Sequence, residues 1–196
     1  VNARRGAGWL TFIGLVGILG LTFLADEGAS LFGGSFVQDG LALFAKKLFV
    51  GSAALSVLGT LTLRQSAFSR RGAEYHFALL SSLLGMLVLA SSRDLVLLFV
   101  AFELMSIPLY FLTGFQKKED TAGEGALKFF LVGSVSSAIL LYGFSFLFGA
   151  TGTTDMSVIA AAVATGNPLA RLGLVLALAG LGFKIAAVPF HMWVPD

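Results

Sequence analysis

The sequence predicts an all-α fold, a polytopic bundle of about six helices that cross a membrane. Hydrophobic residues make up 57% of the 196 residues and charged residues only 12%, with a mean hydropathy of +0.90. Soluble domains carry about 25% charged residues, because water must solvate their surface. A chain of this length with half that charge cannot cover such a surface, and lipid is therefore its predicted solvent.

Long apolar stretches follow one another along the chain, each close to the roughly 20 residues that a transmembrane helix needs. Helices are favoured because backbone groups in lipid must find their partners within the segment, and the alternating pattern of a membrane barrel is absent. The predicted spans are about 9–25, 40–63, 74–90, 94–115, 123–149 and 169–193. A weaker stretch, 153–165, precedes the stop signal Gly166-Asn167-Pro168.

Glycine and serine are frequent inside three of these spans. Small residues let membrane helices approach closely, so we predict close helix packing at these positions. They are Gly14, Gly17 and Gly20 in the first span, Gly133, Ser134, Ser136 and Ser137 in the fifth, and Gly173, Gly180 and Gly182 in the sixth.

Charged residues in the predicted loops separate by sign, as expected when successive spans alternate in direction. One side carries Arg4, Arg5, Arg64, Arg70, Arg71, Lys117 and Lys118. The other side carries Asp26, Glu27, Asp39, Arg93 and Asp155, with Arg171 at its margin. Because Lys and Arg concentrate on the cytoplasmic side, both ends of the chain are predicted to be cytoplasmic, in a prokaryotic plasma membrane.

The composition also excludes several kinds of cofactor site. No cysteine is present, so neither a disulfide nor a thiolate-bound iron–sulfur cluster can form within this chain. The histidines, His76 and His191, lack the spacing of a metal motif, and no phosphate-binding glycine motif is present. We therefore expect no cofactor in this chain and no nucleic-acid partner, because the basic residues mark membrane topology.

Three of the ionisable residues inside the predicted spans stand out, because a charge there costs roughly 2.5–3.5 kcal/mol on insertion scales. Glu103 lies near the centre of the fourth span, and Lys184 lies deep in the sixth. Lys128 is closer to the start of the fifth span. Residues of this kind persist when they are paired, hydrated or functional, and we predict that these three take part in moving protons.

Each of these residues also has an interpretation without transport. Glu103 and Lys184 could form a structural ion pair, although desolvation can exceed the Coulombic gain of a buried pair. Lys128 could extend its amine to the cytoplasmic interface. Lys46 and Lys47, adjacent in the second span, are interpreted as interfacial or as facing a partner subunit, with a role in the proton path as the alternative.

A proline follows two of these charges at the same spacing. Pro108 comes after Glu103 and Pro189 after Lys184. Proline lacks an N–H and frees the carbonyl four residues earlier, which here is the carbonyl of the residue directly after each charge. A loosened, hydratable backbone beside a buried charge is typical of a water-lined proton path.

Three segments around these charges carry a family resemblance: residues 94–110, 124–131 and 182–196. In them the chain resembles the antiporter-like membrane subunits of proton-pumping NADH–quinone oxidoreductase, respiratory complex I, in its bacterial form. The third segment, FKIAAVPFHMW followed by PD, is the most specific and is similar to subunit N. The resemblance extends from about Asp39 to the end of the chain and is weaker before it.

This resemblance implies a role for each buried charge. Glu103 matches the glutamate of the fifth helix in the family, Lys184 the lysine of the broken seventh helix, and Lys128 the lysine at the start of the sixth. Glu103 and Lys184 would form a pair whose interaction weakens and strengthens during the cycle, which changes the proton affinity of the lysine. Because family members carry about fourteen helices in two inverted repeats, residues 1–196 would be a single transmembrane domain, helices two to seven, that forms the N-terminal half-channel.

The resemblance also implies that the chain is a subunit of an enzyme but holds no redox site. NADH, FMN, iron–sulfur clusters and quinone are expected in partner subunits. The expected partners are other membrane-arm subunits, including neighbouring antiporter-like subunits, and the lipid bilayer. Two alternatives stay open: a subunit of a multisubunit cation/proton antiporter or membrane-bound hydrogenase, which share these helices, and a purely structural membrane subunit whose charges serve packing.

Overall fold

A computed structural model describes residues 2–62, 66–116, 120–188 and 191, and in this part of the chain it shows a membrane helix bundle. The helices are α1 (Asn2–Leu24), α2 (Gly40–Thr62), α3 (Ser66–Leu89), α4 (Leu95–Thr113), α5 (Asp120–Thr151), α6 (Met156–Ala164) and α7 (Pro168–Lys184). The first five are long and apolar enough to cross a membrane. The short pair α6 and α7, bent by 119°, makes up a sixth candidate span. The predicted all-α membrane bundle is therefore confirmed.

The last helix differs from the prediction, which extended the sixth span from Leu169 to Trp193. Helix α7 ends at Lys184, because the chain turns at Ile185 and Ala186, where φ reaches 53°. The backbone N–H groups of the turn bond to the carbonyls of Leu181, Phe183 and Gly182, which closes the end of the helix. Pro189 and Trp193, on which the prediction also relied, lie outside the described residues.

Polar residues set where three helices begin. The side chain of Asp94 accepts hydrogen bonds from the N–H groups of Val96 and Leu97, which fixes the start of α4. Asp155 does the same for α6, and Asn167 for α7, where Pro168 occupies the first turn. Side-chain oxygens are needed there because the first N–H groups of a helix have no partner within it.

A small hairpin between α1 and α2 was not predicted from the sequence. Its strands β1 (Ser30–Leu31) and β2 (Phe36–Val37) are antiparallel and joined by one turn of 3-10 helix. The hairpin connects to the loop before α4, since the N–H of Arg93 donates to the carbonyl of Ser35 at 2.8 Å. Arg93 also forms an ion pair with Asp39, so this end of the bundle is held by polar contacts between loops.

Small residues allow close helix contact at some of the predicted positions but not at others. A Cβ atom at Gly180 would lie 2.8 Å from the backbone N of Leu140, so α5 and α7 touch through their backbones there. Gly173 is similar. The three glycines of α1 face open space, with nothing within 4 Å of a Cβ added at Gly14, Gly17 or Gly20.

Candidate functional site at the α4–α5–α7 interface

Glu103 lies in the middle of α4, on the side of the helix that faces α5. Its Oε1 atom is 2.5 Å from the hydroxyl oxygen of Ser137, a residue of α5 that is only 8% exposed. The same hydroxyl oxygen lies 3.0 Å from the carbonyl oxygen of Gly133, one turn earlier in α5. The carboxyl group therefore meets a buried hydroxyl within a helix interface.

Lys184 is the final residue of α7, and its amine points back into the bundle. Nζ donates a hydrogen bond to the hydroxyl of Tyr110 on α4. It also lies 4.9 Å from the ring centroid of Tyr110 and 5.1 Å from that of Phe102, both of which are buried. Two aromatic rings and the C-terminal end of a helix dipole are environments that favour a cation.

Tyr110 is held in place by α5. A Cβ at Gly133 would lie 2.2 Å from the Tyr110 hydroxyl, so only a residue without a side chain leaves room for it. The rings of Phe129 and Phe130 meet the tyrosine ring edge-on, with centroids 4.7 Å and 5.9 Å away. The tyrosine hydroxyl is thus fixed between the two helices and Lys184.

Glu103 and Lys184 share this interface without a direct ion pair. No salt bridge within 4 Å joins them in the described part of the chain, where ion pairs link Arg93 to Asp39 and Lys128 to Glu124. Each of the two groups is instead held by a hydroxyl, Glu103 by Ser137 and Lys184 by Tyr110. A carboxyl group and an amine that are each bound to a neutral hydroxyl are not locked to each other as an ion pair.

Lys128 lies apart from these two residues, on an exposed face of α5. Its side chain is 58% exposed, and Nζ is 2.6 Å from a carboxylate oxygen of Glu124, one turn earlier. Ser137 is nine positions further along α5, about 13 Å along the helix axis at 1.5 Å per residue. The structure therefore brings Glu103 and Lys184 to one interface and places Lys128 towards the start of α5.

Pro108 lies inside α4, which continues through it to Thr113. A groove of about 540 Å³ runs beside it between α3 and α4, with Ser81 and Glu74 among apolar side chains. Proline cannot donate to the carbonyl of Leu104, so the usual helix bond to that carbonyl is missing. The loosening at Pro108 stays a prediction, and its counterpart Pro189 lies outside the described residues.

The other intramembrane lysines lie towards the loop end of α2. The buried amine of Lys46 donates to the side-chain oxygen of Gln38 at 2.9 Å and lies 4.7 Å from the ring centroid of Phe36. Lys47 is over the ring of Phe23 at 4.8 Å. Both amines reach residues of α1 or of the loop before α2, as expected for lysines that extend along a helix toward its N-terminal end.

Sequence reasoning missed Tyr110 and Ser137. Tyr110 follows Glu103 by seven positions, two helical turns, and a polar residue at that spacing on an apolar helix is a usable signal. Ser137 was interpreted only as a small residue for packing. Its neighbour Ser136 does serve packing, because its hydroxyl donates to the carbonyl of Gly180 on α7 at 2.6 Å.

In the part of the chain that the structure describes, no group of three or more His, Asp or Glu side chains lies close enough to hold a metal ion. The groups at the interface of α4, α5 and α7 that can take part in acid–base chemistry are the carboxyl of Glu103 and the amine of Lys184, each with a hydroxyl beside it.

The chain is similar to known proteins in both sequence and structure. A sequence model of the family described as NADH:quinone oxidoreductase/Mrp antiporter, TM, matches residues 92–196, more than half of the chain. The chain is 40% identical to F(420)H(2) dehydrogenase subunit N of Methanosarcina mazei, with 100% of this chain and 41% of the relative covered. It is 41% identical to NADH-quinone oxidoreductase subunit N of Desulfovibrio desulfuricans, with 96% and 39% covered.

A solved structure, respiratory complex I from Thermus thermophilus with bound Aureothin, contains a similar chain. The TM-score is 0.80 at 34% sequence identity, with 98% of this chain and 42% of that chain covered. This chain thus spans about two fifths of the length of the relatives that it matches. The chain belongs to the transmembrane family shared by NADH:quinone oxidoreductases and Mrp antiporters.

Proposed function

We propose that this chain is part of a proton-translocating membrane subunit of a redox-driven pump of the NADH–quinone oxidoreductase type. The observation that supports it most is the meeting of Glu103 and Lys184 at one helix interface, where each is bound by a hydroxyl and not by the other. A structural ion pair would bring the two charges into contact. Separate, hydroxyl-bound charges leave each group able to change its proton.

The proposed mechanism uses a change of partner. When the amine of Lys184 lies close to the carboxylate of Glu103, each favours the charged form of the other. When the amine moves to Tyr110, that mutual support is lost: the carboxylate of Glu103 no longer has a cation beside it, whereas the rings of Tyr110 and Phe102 still favour the charged amine. Alternating between these arrangements changes how readily a proton is gained or lost at this interface. Redox chemistry in other subunits would drive the alternation.

The wider setting is part of the same proposal. Residues 1–196 supply a single transmembrane domain, the N-terminal half-channel of a longer subunit, with Lys128 at the entrance of the path. The partners are other membrane-arm subunits, including antiporter-like neighbours, in a prokaryotic plasma membrane with both ends of residues 1–196 cytoplasmic. NADH, FMN, iron–sulfur clusters and quinone belong to those partners.

A second candidate concerns the electron donor. The match to F(420)H(2) dehydrogenase subunit N is as extensive as the match to NADH-quinone oxidoreductase subunit N. Buried acid–base groups can serve a pump whichever donor supplies its electrons. Proton translocation through this interface is therefore independent of the electron donor, and F420H2 is the alternative to NADH as that donor.

The test is proton uptake by membrane vesicles energised with the electron donor, using the full-length parent protein in its assembled complex. We expect Glu103→Gln and Lys184→Ala to lower pumping and coupled turnover while the complex still assembles on a native gel. Glu27→Gln and Lys47→Ala change the same residue types outside the interface and should leave pumping close to that of the parent protein.

Two results would contradict the proposal. Unchanged pumping in both Glu103→Gln and Lys184→Ala would reduce these charges to structural groups in a membrane complex. A reduced amount of assembled complex in both variants, with normal pumping by the complex that does assemble, would support the structural alternative.

A further inference from the structure

The hydroxyl of Ser137 makes two contacts that its single hydrogen cannot serve together. Its oxygen lies 2.5 Å from Oε1 of Glu103 and 3.0 Å from the carbonyl oxygen of Gly133. A serine hydroxyl donates one hydrogen bond, whereas a backbone carbonyl and an ionised carboxylate can only accept. Two full hydrogen bonds form at once only when Glu103 is protonated and donates to Ser137.

We infer that Ser137 is a two-position hydroxyl whose hydrogen follows the charge of Glu103, an inference that rests on the proposed function. With Glu103 protonated, its O–H donates to Ser137, and Ser137 donates to Gly133. When the proton leaves Glu103, the Ser137 hydrogen rotates about the Cβ–Oγ bond and donates to the carboxylate. Heavy atoms keep their places in both states.

This arrangement keeps Glu103 hydrogen-bonded in both of its charge states. A buried carboxylate without a donor is strongly disfavoured, and a buried acid hydrogen without an acceptor is also costly. Gly133 tolerates the loss of the Ser137 bond, because a carbonyl oxygen of a helix retains its backbone partner one turn further on. Ser137 is therefore a positioning residue that reduces the cost of moving a proton on and off Glu103.

Neighbouring hydroxyls have other acceptors, so they provide matched controls. Ser136, equally buried on α5, donates to the carbonyl of Gly180 on α7 at 2.6 Å. Ser134, on the exposed side of α5, donates to the carbonyl of Phe130 at 2.8 Å. Replacing Ser136 disturbs the same interface without touching Glu103, and replacing Ser134 tests only the loss of a helix hydroxyl.

The experiment is infrared difference spectroscopy of the full-length protein in its complex, comparing acidic with alkaline buffer. The C=O stretching band that disappears in Glu103→Gln belongs to protonated Glu103. We expect Ser137→Ala to move this band to higher wavenumber, because the acid loses a hydrogen-bond partner. Ser137→Thr, which keeps the hydroxyl, should restore the band, while Ser136→Ala and Ser134→Ala should leave it in place.

Three outcomes would overturn the inference: an unmoved band in Ser137→Ala, an equal movement in Ser136→Ala, or no Glu103 band in the parent protein. Its failure can be told from failure of the proposed function, because the readouts differ. Pumping that falls in Glu103→Gln with an unmoved band in Ser137→Ala would keep the function and remove the role of Ser137. Normal pumping in Glu103→Gln with a moved band in Ser137→Ala would keep the role of Ser137 and remove the proposed function.

Discussion

Two regions of the bundle hold their helices together by different means. The contact of α1, α2 and α3 is a cluster of apolar side chains, namely Leu15, Val50, Ala53, Ala54, Val57 and Leu83. The contact of α4, α5 and α7 has an apolar cluster of its own, which includes Phe102 and Leu140. It also contains Glu103, Lys184 and their hydroxyl partners.

The difference bears on which of the two contacts serves packing alone and which has a further role. Apolar contacts suffice to assemble membrane helices, because close packing provides the attraction in lipid. Polar groups at such an interface add a desolvation cost that packing does not require. Their concentration between α4, α5 and α7 therefore supports the proposal that this interface has a function beyond packing. The α1 span, only 11% buried, leaves most of its apolar surface outward.

The largest effect on stability is expected where two helix backbones touch, which distinguishes the α5–α7 contact from α1. We expect Gly180→Leu to destabilise the full-length protein by more than about 3 kcal/mol, because the new side chain would overlap the backbone of α5. Gly17→Leu on α1 enters open space, so its melting temperature in detergent should stay near the parent value. Equal losses in the two variants would show that the regions are packed alike.

A smaller effect is expected when Lys184 loses its hydroxyl partner. Tyr110→Phe keeps the ring near the amine but removes the acceptor, and a hydrogen bond to a charged group contributes about 1.5–3 kcal/mol. We expect a lower melting temperature and slower pumping in the assembled complex. Tyr142→Phe removes the hydroxyl of an exposed tyrosine on α5 and is the control. Unchanged pumping in Tyr110→Phe would remove this tyrosine from the mechanism.

The long spans could be predicted from hydropathy because lipid imposes length and composition directly. The end of α7 could not, since Ile185, Ala186 and Ala187 are apolar and continue the hydropathy pattern although the backbone turns there. The hairpin at β1 and β2 was missed for a related reason. Strands of two residues carry no periodic signal, and their partner at Arg93 is distant in sequence.

The candidate site was predicted in its charges but not in its hydrogen bonds. Glu103 and Lys184 stand out because ionisable residues are rare in apolar spans. Which groups they touch depends on the rotation of each helix about its axis, which hydropathy leaves open. The contacts of Ser137 with Glu103 and of Tyr110 with Lys184 follow from the way in which α4, α5 and α7 pack in the structure.

Lys128 offers a test of how far the functional interface extends. Because its pair with Glu124 is exposed and one helical turn apart, we expect a coupling energy no larger than that of an ordinary exposed pair at this spacing. A double-mutant cycle with Lys128→Ala and Glu124→Ala, measured by unfolding of the full-length protein, gives this energy. A coupling several times larger would show that the pair is desolvated in the assembled protein, and the interface would then reach further along α5.

The smallest effect concerns Asp39, which caps α2 outside the membrane-spanning segments. The backbone N–H of Ala42 and the guanidinium of Arg93 hold the pKa of the Asp39 carboxyl below its ordinary value of 3.8. A carboxyl with a lowered pKa in the folded state adds stability above its ordinary pKa and loses it as the pH falls through the lowered value. We therefore expect the melting temperature of the full-length protein to fall as the pH is lowered from the ordinary pKa of 3.8 through the lower pKa of the folded state. Asp39→Asn should flatten that fall more than Asp26→Asn, which removes the same charge from the same loop. If both variants reduce the acid-induced fall in melting temperature equally, the net charge of the loop and not the Asp39 cap determines that fall.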